Sequence, residues 1–162
     1  MTADPAIVAA RLRPAVEAFL LAKAYHATWV DRVRPVQVQA LRDVGATYDN
    51  SRAGGARNPG APITDPRHSY LMSDEKAVKY FDLLHDEYRL RGWLEPKWER
   101  GVCPALIAEE PLRQARRAVL LALSEFFPVF NPDNGNVWAH ENKAVDLACK
   151  LVCSQPGFKM AV

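Results

Sequence analysis

The chain has 162 residues, of which 49% are hydrophobic and 25% are charged, and this composition excludes intrinsically disordered and fibrous proteins. A chain of this length buries about two-thirds of its unfolded surface, so it can fold as one domain without disulfides or a structural metal. The 21 basic and 19 acidic residues leave a formal net charge of +2, which does not favour binding to nucleic acid mainly through phosphates. Composition therefore predicts a globular domain without indicating a substrate.

The cysteines and the N-terminus bear on the cellular compartment. Cys103, Cys149 and Cys153 are odd in number and lack the spacing of a disulfide framework, which favours a reducing compartment. The N-terminus carries Asp4 and Pro5 where a secretory signal has basic residues, and the apolar runs are too short to cross a bilayer. We therefore expect a soluble, cytoplasmic protein without a membrane partner.

Prolines interrupt the helical pattern at the start of the chain. Asp4 as N-cap and Pro5 at the first helical position predict where the first helix begins. Pro14 removes a backbone donor, so we expect a kink or a second helix from about residue 14. Pro35 ends or bends the pattern again, and a short helix is predicted to follow, with Gly45 just past its end.

Residues 46–72 lack helical periodicity and are rich in Gly, Pro, Asn and Ser, which favour turns. Connections longer than about 15 residues are uncommon in compact domains and are usually functional or disordered. The segment therefore predicts a long loop with a functional role. No convincing strand pattern occurs in it or elsewhere in the chain.

The helix signals after the loop are clearer. Ser73 as N-cap and Gly92 as a left-handed stop predict a helix over 74–91. Another helix is expected to start at about Pro111 and to cover 111–127, before Pro128 stops it.

The carboxylates of Glu109 and Glu110 would then meet the positive end of the dipole of that helix. A last helix is predicted from an apolar pattern that begins at Val137. Together the elements predict an all-α fold, a single domain over 1–162 with five or six helices and one long Gly/Pro-rich loop.

The cysteines have one interpretation as metal ligands. Cys149 and Cys153 stand one helical turn apart, so Cys103 and His140 complete a chemically reasonable set for zinc. However, His140 would face elsewhere on a continuous helix, and Cys103 must come from another element. We prefer to interpret the cysteines as small buried hydrophobic residues, and we predict neither a metal nor another cofactor.

The loop at 46–72 holds the richest group of polar residues. Those with side chains suited to a ligand or a partner are Arg52, Arg57, Arg67 and Tyr70. Glycines between them let backbone amides approach a ligand, but the Gly-Lys-Ser/Thr signature of phosphate-binding loops is absent.

Two alternatives remain open. The first is a small enzyme whose site lies between the loop and the 74–91 helix, with His68, Asp74 and His85 as catalytic candidates beside Arg52 and Arg57. The second is a nucleic-acid-binding protein that uses an arginine-rich helix face, namely Arg113, Arg116 and Arg117. A solvated helix face explains those arginines equally well.

No motif supplies a nucleophile, a base and an orienting group, whereas a long polar loop on a helical body suits an interaction protein. We therefore predict a non-catalytic structural or adaptor subunit of a larger assembly or a homo-oligomer. The 46–72 loop is the expected contact element. Its partner would be another protein or a second copy of the chain.

Overall fold

The computed structural model describes residues 4–49, 60–133 and 141–160. Within these ranges the elements are four α-helices, a two-stranded sheet and a short 3-10 helix. In chain order they are α1 (Pro5–Asp43), β1 (Thr47–Tyr48), β2 (Tyr70–Leu71), α2 (Asp74–Leu90), α3 (Pro104–Ser124), the 3-10 helix (Pro128–Phe130) and α4 (Glu141–Cys153). The predicted helical class is confirmed, whereas the predicted count of five or six helices is wrong. No helix in these ranges is both long and apolar enough to span a bilayer.

The start of α1 is the one predicted, but the helix does not break. The carboxylate of Asp4 accepts a hydrogen bond from the Ala6 amide at 2.9 Å, and its carbonyl accepts from the Val8 amide at 3.0 Å. From Pro5 the helix continues for 39 residues, through Pro14 and Pro35. The predicted second helix from about residue 14 and the predicted separate helix after Pro35 are therefore wrong, whereas a kink at Pro14 stays a prediction.

The position of the two prolines around α1 explains why the helix continues. Both Pro14 and Pro35 are exposed, and so are Ala10 and Asp31, the residues whose carbonyls lose their helical donor. Those carbonyls lie on the side of the helix where water can replace the missing amide. Buried neighbours such as Leu12 hold the helix from its other face, and packing of this kind supplies most helical stability in proteins.

The start of α3 differs from the prediction. It begins at Pro104 rather than near Pro111, and the Cys103 carbonyl accepts from the amides of Leu106 at 2.9 Å and Ile107 at 3.2 Å. Cys103 therefore occupies the N-cap position. The signal in the sequence is Pro104 at the first helical position, which the more prominent Pro111 obscured.

Pro111 lies inside α3 and is exposed, like the prolines of α1. Glu109 and Glu110 are consequently inside the helix rather than at its N-terminus, so the predicted interaction with the helix dipole is wrong. Glu110 instead accepts a hydrogen bond from the Gln114 amide group at 3.1 Å. The helix ends at Ser124, ahead of the predicted stop at Pro128.

The helix predicted over 74–91 is confirmed. The hydroxyl of Ser73 accepts from the Lys76 amide at 3.3 Å, and the last helical residue is Leu90. Gly92 follows with a φ of +68°, which glycine adopts without steric cost. The chain then turns back, and the Trp93 amide donates to the Tyr88 carbonyl at 2.8 Å.

The two ends of the predicted loop are paired, which contradicts the expectation that no strand occurs. Strands β1 and β2 are antiparallel, with Thr47 opposite Leu71 and Tyr48 opposite Tyr70. The segment that returns to β2 is anchored on α1, because Arg42 Nε donates to the carbonyl of the buried Ile63 at 3.0 Å. Strands of only two residues give no alternating pattern for a sequence analysis to detect.

The chain divides into two compact units, Met1–His26 with Ala108–Val162, and Ala27–Ile107. The first unit has its own buried cluster, in which Leu12, Val16, Val119 and Leu120 are almost completely shielded from solvent. The second unit has a larger cluster around Val33, Leu84 and Tyr88 and a smaller one around Leu41 and Ile63. The prediction of one domain over 1–162 stays a prediction.

Candidate functional sites

An open groove with a volume of about 230 Å³ lies on the first unit. All eight residues that line it are apolar: Val8, Leu123, Phe127, Phe130, Ala144, Leu147, Ala148 and Leu151. Val8, Leu123, Ala144 and Ala148 are buried and form its floor, and the two alanines leave space there because their side chains are short. Phe127 and Leu147 remain 44% and 61% exposed. The groove therefore presents apolar surface to solvent.

The α4 rim of this groove is basic. Lys143 precedes Leu147 by four residues and Lys150 follows it by three, so both lie within about 60° of Leu147 around the helix. Both lysines are exposed, and neither forms an ion pair with any residue in 4–49, 60–133 or 141–160. Asp146 lies three residues after Lys143 and four before Lys150, so it neighbours both lysines on α4 and offsets part of their charge. The edge beside Leu147 therefore carries one more positive charge than negative charges.

A second cavity, of about 190 Å³, lies in the second unit. Its apolar lining includes Phe81, Leu84 and Leu106, and its polar lining is contributed by Gln37, Tyr80, His85, Tyr88 and Cys103. α1 supplies the glutamine, α2 supplies the two tyrosines and the histidine, and the cysteine stands at the N-cap of α3. Side chains with hydrogen-bonding and nucleophilic capacity thus meet from three elements.

The Cys103 thiol is the centre of the polar contacts in this cavity. Gln37 Nε2 donates to Sγ at 3.7 Å, and the Tyr88 hydroxyl lies 3.9 Å from Sγ, with either atom able to donate. Burial raises the pKa of Tyr88, and the negative charge of a Cys103 thiolate raises it further. The pKa of Tyr80 is raised by the same two causes. Both phenols therefore keep their protons at neutral pH.

His85 lines this cavity and also has an unsatisfied polar atom that does not face the open space. Its Nδ1 atom is shielded from solvent and has no hydrogen-bond partner among the described residues. Buried polar groups almost always have a partner, so an exception indicates either a cost in stability or a missing partner. Of the three predicted catalytic residues, His85 is the one that lines this cavity.

The other two catalytic candidates lie elsewhere in the second unit. The ring of His68 stands edge-on to that of Tyr48, with 6.0 Å between ring centroids. Asp74 is the first residue of α2 and precedes His85 by eleven residues, which is about 16 Å along the helix axis. The structure therefore does not bring His68, Asp74 and His85 into one constellation.

Several polar residues of the loop form hydrogen bonds with one another. The Arg67 guanidinium is hydrogen-bonded to the Asp65 carboxylate and holds the pKa of that carboxyl well below its ordinary value. The Tyr70 hydroxyl donates to the Asp65 carbonyl, and its ring packs on Tyr48 at 5.1 Å between centroids. Arg52 and Arg57 lie outside the described residues. The partner-binding role of all four residues stays a prediction.

Two of the three arginines predicted for nucleic-acid binding have carboxylate partners. Arg113 pairs with Glu110 at 3.2 Å, and Arg117 pairs with Asp133. The Nε atom of Arg116 is buried and has no partner among the described residues. Binding of nucleic-acid phosphates by Arg113 and Arg117 would therefore have to compete with these two ion pairs.

The three cysteines are free thiols in different surroundings. Cys103 and Cys149 are half-buried, whereas Cys153 is exposed, so the interpretation of all three as buried hydrophobic residues is wrong for Cys153. The physical reason is its place at the end of α4, about 100° around the helix from the buried Val152. Within 4–49, 60–133 and 141–160, no three His, Cys, Asp or Glu residues are grouped to hold a metal ion. The proposed ligand His140 lies outside those residues.

Sequence reasoning missed both the groove and the role of Gln37 and Tyr88. The groove combines residues from α1, α3, α4 and the 3-10 helix, so no single segment of sequence contains its pattern. Gln37 and Tyr88 fall within ordinary helical sequence. The available signal was Cys103 directly before Pro104, a thiol at a helix N-cap.

No family model, curated protein or solved structure matches this chain. Function is therefore inferred from the groove and the cavity themselves, because a fold class alone does not define one.

Proposed function

We propose that this protein is a non-catalytic interaction subunit and that its apolar groove binds an amphipathic helix of a partner protein. The observation that carries the proposal is the groove itself, lined by eight apolar residues, with Phe127 and Leu147 left partly exposed. Burying the rest of these two side chains under a partner is worth about 1–2 kcal/mol each. The loop at 46–72 is a second contact element in this proposal.

The size and chemistry of the groove favour a partner side chain over a small ligand. Its volume of about 230 Å³ is below the range of about 300–1,000 Å³ typical of small-molecule pockets. Its lining contributes no polar side chain to fix the orientation of a small ligand. A partner helix is recognised through apolar side chains that stand about one turn apart on it. A continuous apolar groove can accept such side chains.

The charge of the rim specifies the partner further. Lys143 and Lys150 lie beside Leu147 without a carboxylate partner in the described part of the chain. Acidic residues that flank the apolar anchors of an incoming helix would pair with them, whereas basic residues would be repelled. The partner of this groove is therefore an acidic amphipathic helix.

The test is titration with a labelled synthetic helix that carries leucines at i, i+4 and i+7 with glutamates beside them, followed by fluorescence anisotropy. We expect saturable binding in the micromolar range, and binding about tenfold weaker when lysines replace the glutamates. Leu147→Glu should weaken binding by about tenfold or more, because it places a carboxylate at the apolar edge.

Val78→Glu is the matched control. Val78 is exposed to nearly the same extent as Leu147, 58% against 61%, but lies on α2 in the second unit. It should bind the peptide like the wild type. Absence of saturable binding, or equal weakening by both substitutions, would contradict the proposal. A preference for the lysine peptide would contradict the charge argument.

A further inference from the structure

One part of the apolar groove on the first unit is aromatic. Phe127 directly precedes the 3-10 helix and Phe130 is the last residue of that helix, and both line the groove. Their rings stand edge to face, with 6.3 Å between the centroids and 73° between the ring planes. Phe127 is 44% exposed and Phe130 is half-buried, so both rings keep surface for a further contact. The groove therefore offers aromatic as well as aliphatic surface to a partner.

The groove is large enough for an aromatic ring. Its volume of about 230 Å³ exceeds that of an apolar cavity of about 150 Å³ that binds benzene in another protein. Ala144 and Ala148 leave this space in the floor because their side chains end at Cβ. The eight lining residues contribute no polar side chain, so a ring without a polar group forgoes no hydrogen bond by entering. A phenyl ring satisfies both conditions.

A third ring gains more from the two phenylalanines than an aliphatic side chain does. The faces of aromatic rings are partly negative and their edges partly positive, so rings attract one another in edge-to-face or offset arrangements. Such a pair strengthens binding by about two- to tenfold beyond the effect of the buried area. A leucine in the same position gains the burial of apolar area alone.

We propose that the acidic helix of the proposed function, on which this inference rests, inserts one phenylalanine ring into the groove. Phe127 is the residue that selects this ring, because its own ring lines the groove and remains partly exposed. Phe130 packs against the buried cluster of the first unit and supports the ring of Phe127 from its edge-to-face position. The groove thus recognises an acidic helix with an aromatic anchor.

The experiment compares three versions of the labelled, glutamate-flanked helix by fluorescence anisotropy. They carry leucine, phenylalanine or cyclohexylalanine at the middle anchor and leucine at the other two. Cyclohexylalanine has about the size of phenylalanine and is at least as apolar, but its ring is not aromatic. We expect the phenylalanine peptide to bind about two- to tenfold more tightly than either of the other peptides.

Phe127→Leu tests whether Phe127 selects the ring. The substitution keeps an apolar side chain in the groove, so the leucine peptide should still bind, whereas the phenylalanine and cyclohexylalanine peptides should now bind about equally tightly. Phe81→Leu is the matched control, because Phe81 is 46% exposed but lies on α2 in the second unit. It should keep the preference of the wild type for the phenylalanine peptide.

The possible outcomes distinguish a failure of this assignment from a failure of the proposed function. If none of the three peptides binds saturably, both are wrong. If the leucine peptide binds and the phenylalanine peptide binds no more tightly than the leucine or the cyclohexylalanine peptide, the groove binds a helix without selecting an aromatic ring. That result would overturn the assignment alone. A full preference for phenylalanine in Phe127→Leu, or its loss in Phe81→Leu, would overturn the role of Phe127.

Discussion

At the scale of single residues, the phenol of Tyr88 connects core packing with the polar cavity. Tyr88 is 1% exposed, and burial raises its pKa above the ordinary value of 10.0. Below that value both folded and unfolded chains hold the proton, and Tyr88 adds no pH dependence to stability. Above it the unfolded chain releases the proton while the folded chain retains it, so the free energy of unfolding falls as pH rises.

We therefore expect Tyr88→Phe to flatten the alkaline loss of stability, by up to about 1.4 kcal/mol per pH unit. Urea unfolding between about pH 9 and pH 11 measures the slope for the variant and the wild type. Tyr25→Phe is the matched control, because it removes an exposed phenol rather than a buried one. If stability falls equally steeply with pH in the wild type and in Tyr88→Phe, the pKa of Tyr88 is the same in the folded and unfolded chains, which would contradict this prediction.

Individual site residues were predictable only where the local sequence determines their surroundings. Asp4 and Ser73 cap helices as predicted, because a cap is formed with amides two or three residues away. Cys103 was named as a possible zinc ligand, but its contacts with Gln37 and Tyr88 span 66 and 15 residues of sequence. Contacts over such separations depend on how helices pack, which helical periodicity does not specify.

At the scale of elements, the prolines in helices give the sharpest test of the fold. Pro14→Ala restores an amide donor for the Ala10 carbonyl and removes a residue that is less favourable than alanine by about 3 kcal/mol in a helix interior. The added freedom of the unfolded chain offsets about 0.4–1 kcal/mol of that gain. Hydration of the exposed carbonyl by solvent reduces the gain further. We expect the free energy of unfolding to rise by about 1–2 kcal/mol in urea unfolding.

Pro96→Ala is the matched control, with the opposite expected sign. Pro96 is exposed in the turn that the Trp98 amide closes by donating to the Glu95 carbonyl at 3.0 Å. Alanine gains no helical hydrogen bond there, so the substitution acts only by adding conformational freedom to the unfolded chain. The free energy of unfolding should therefore fall by about 0.4–1 kcal/mol. A loss of stability in Pro14→Ala would contradict a helix that continues through residue 14.

The same elements show which boundaries a sequence can define. The boundaries of α2 were predictable because a cap, an apolar stripe and a glycine agree. The end of α1 and the start of α3 were not, because a proline on an exposed face costs less than one on a buried face. The exposed face is known only once the packing is known. The two-residue strands depend on pairing between Tyr48 and Tyr70, which are 22 residues apart.

At the scale of the whole molecule, net charge and local charge lead to different expectations. The formal net charge of +2 is small, and Arg113 and Arg117 are already paired with carboxylates. The excess of positive charge beside the groove comes from Lys143 and Lys150, which Asp146 offsets only in part. A balance summed over the chain conceals this local excess, which is why composition indicated no kind of partner.

The local excess determines how the chain should behave in solution. Two copies that share the groove would meet through the same surface, as a two-fold axis requires, and would bring the lysines of both α4 helices together. We expect light scattering to give the mass of one chain at low salt because of that repulsion. At about 1 M salt, screening shortens the range of the repulsion to about 3 Å and strengthens apolar contact, so the dimer fraction should rise. Leu147→Glu should remain monomeric at both salt concentrations. A wild-type dimer at low salt would make a second copy, rather than an acidic partner helix, the occupant of the groove.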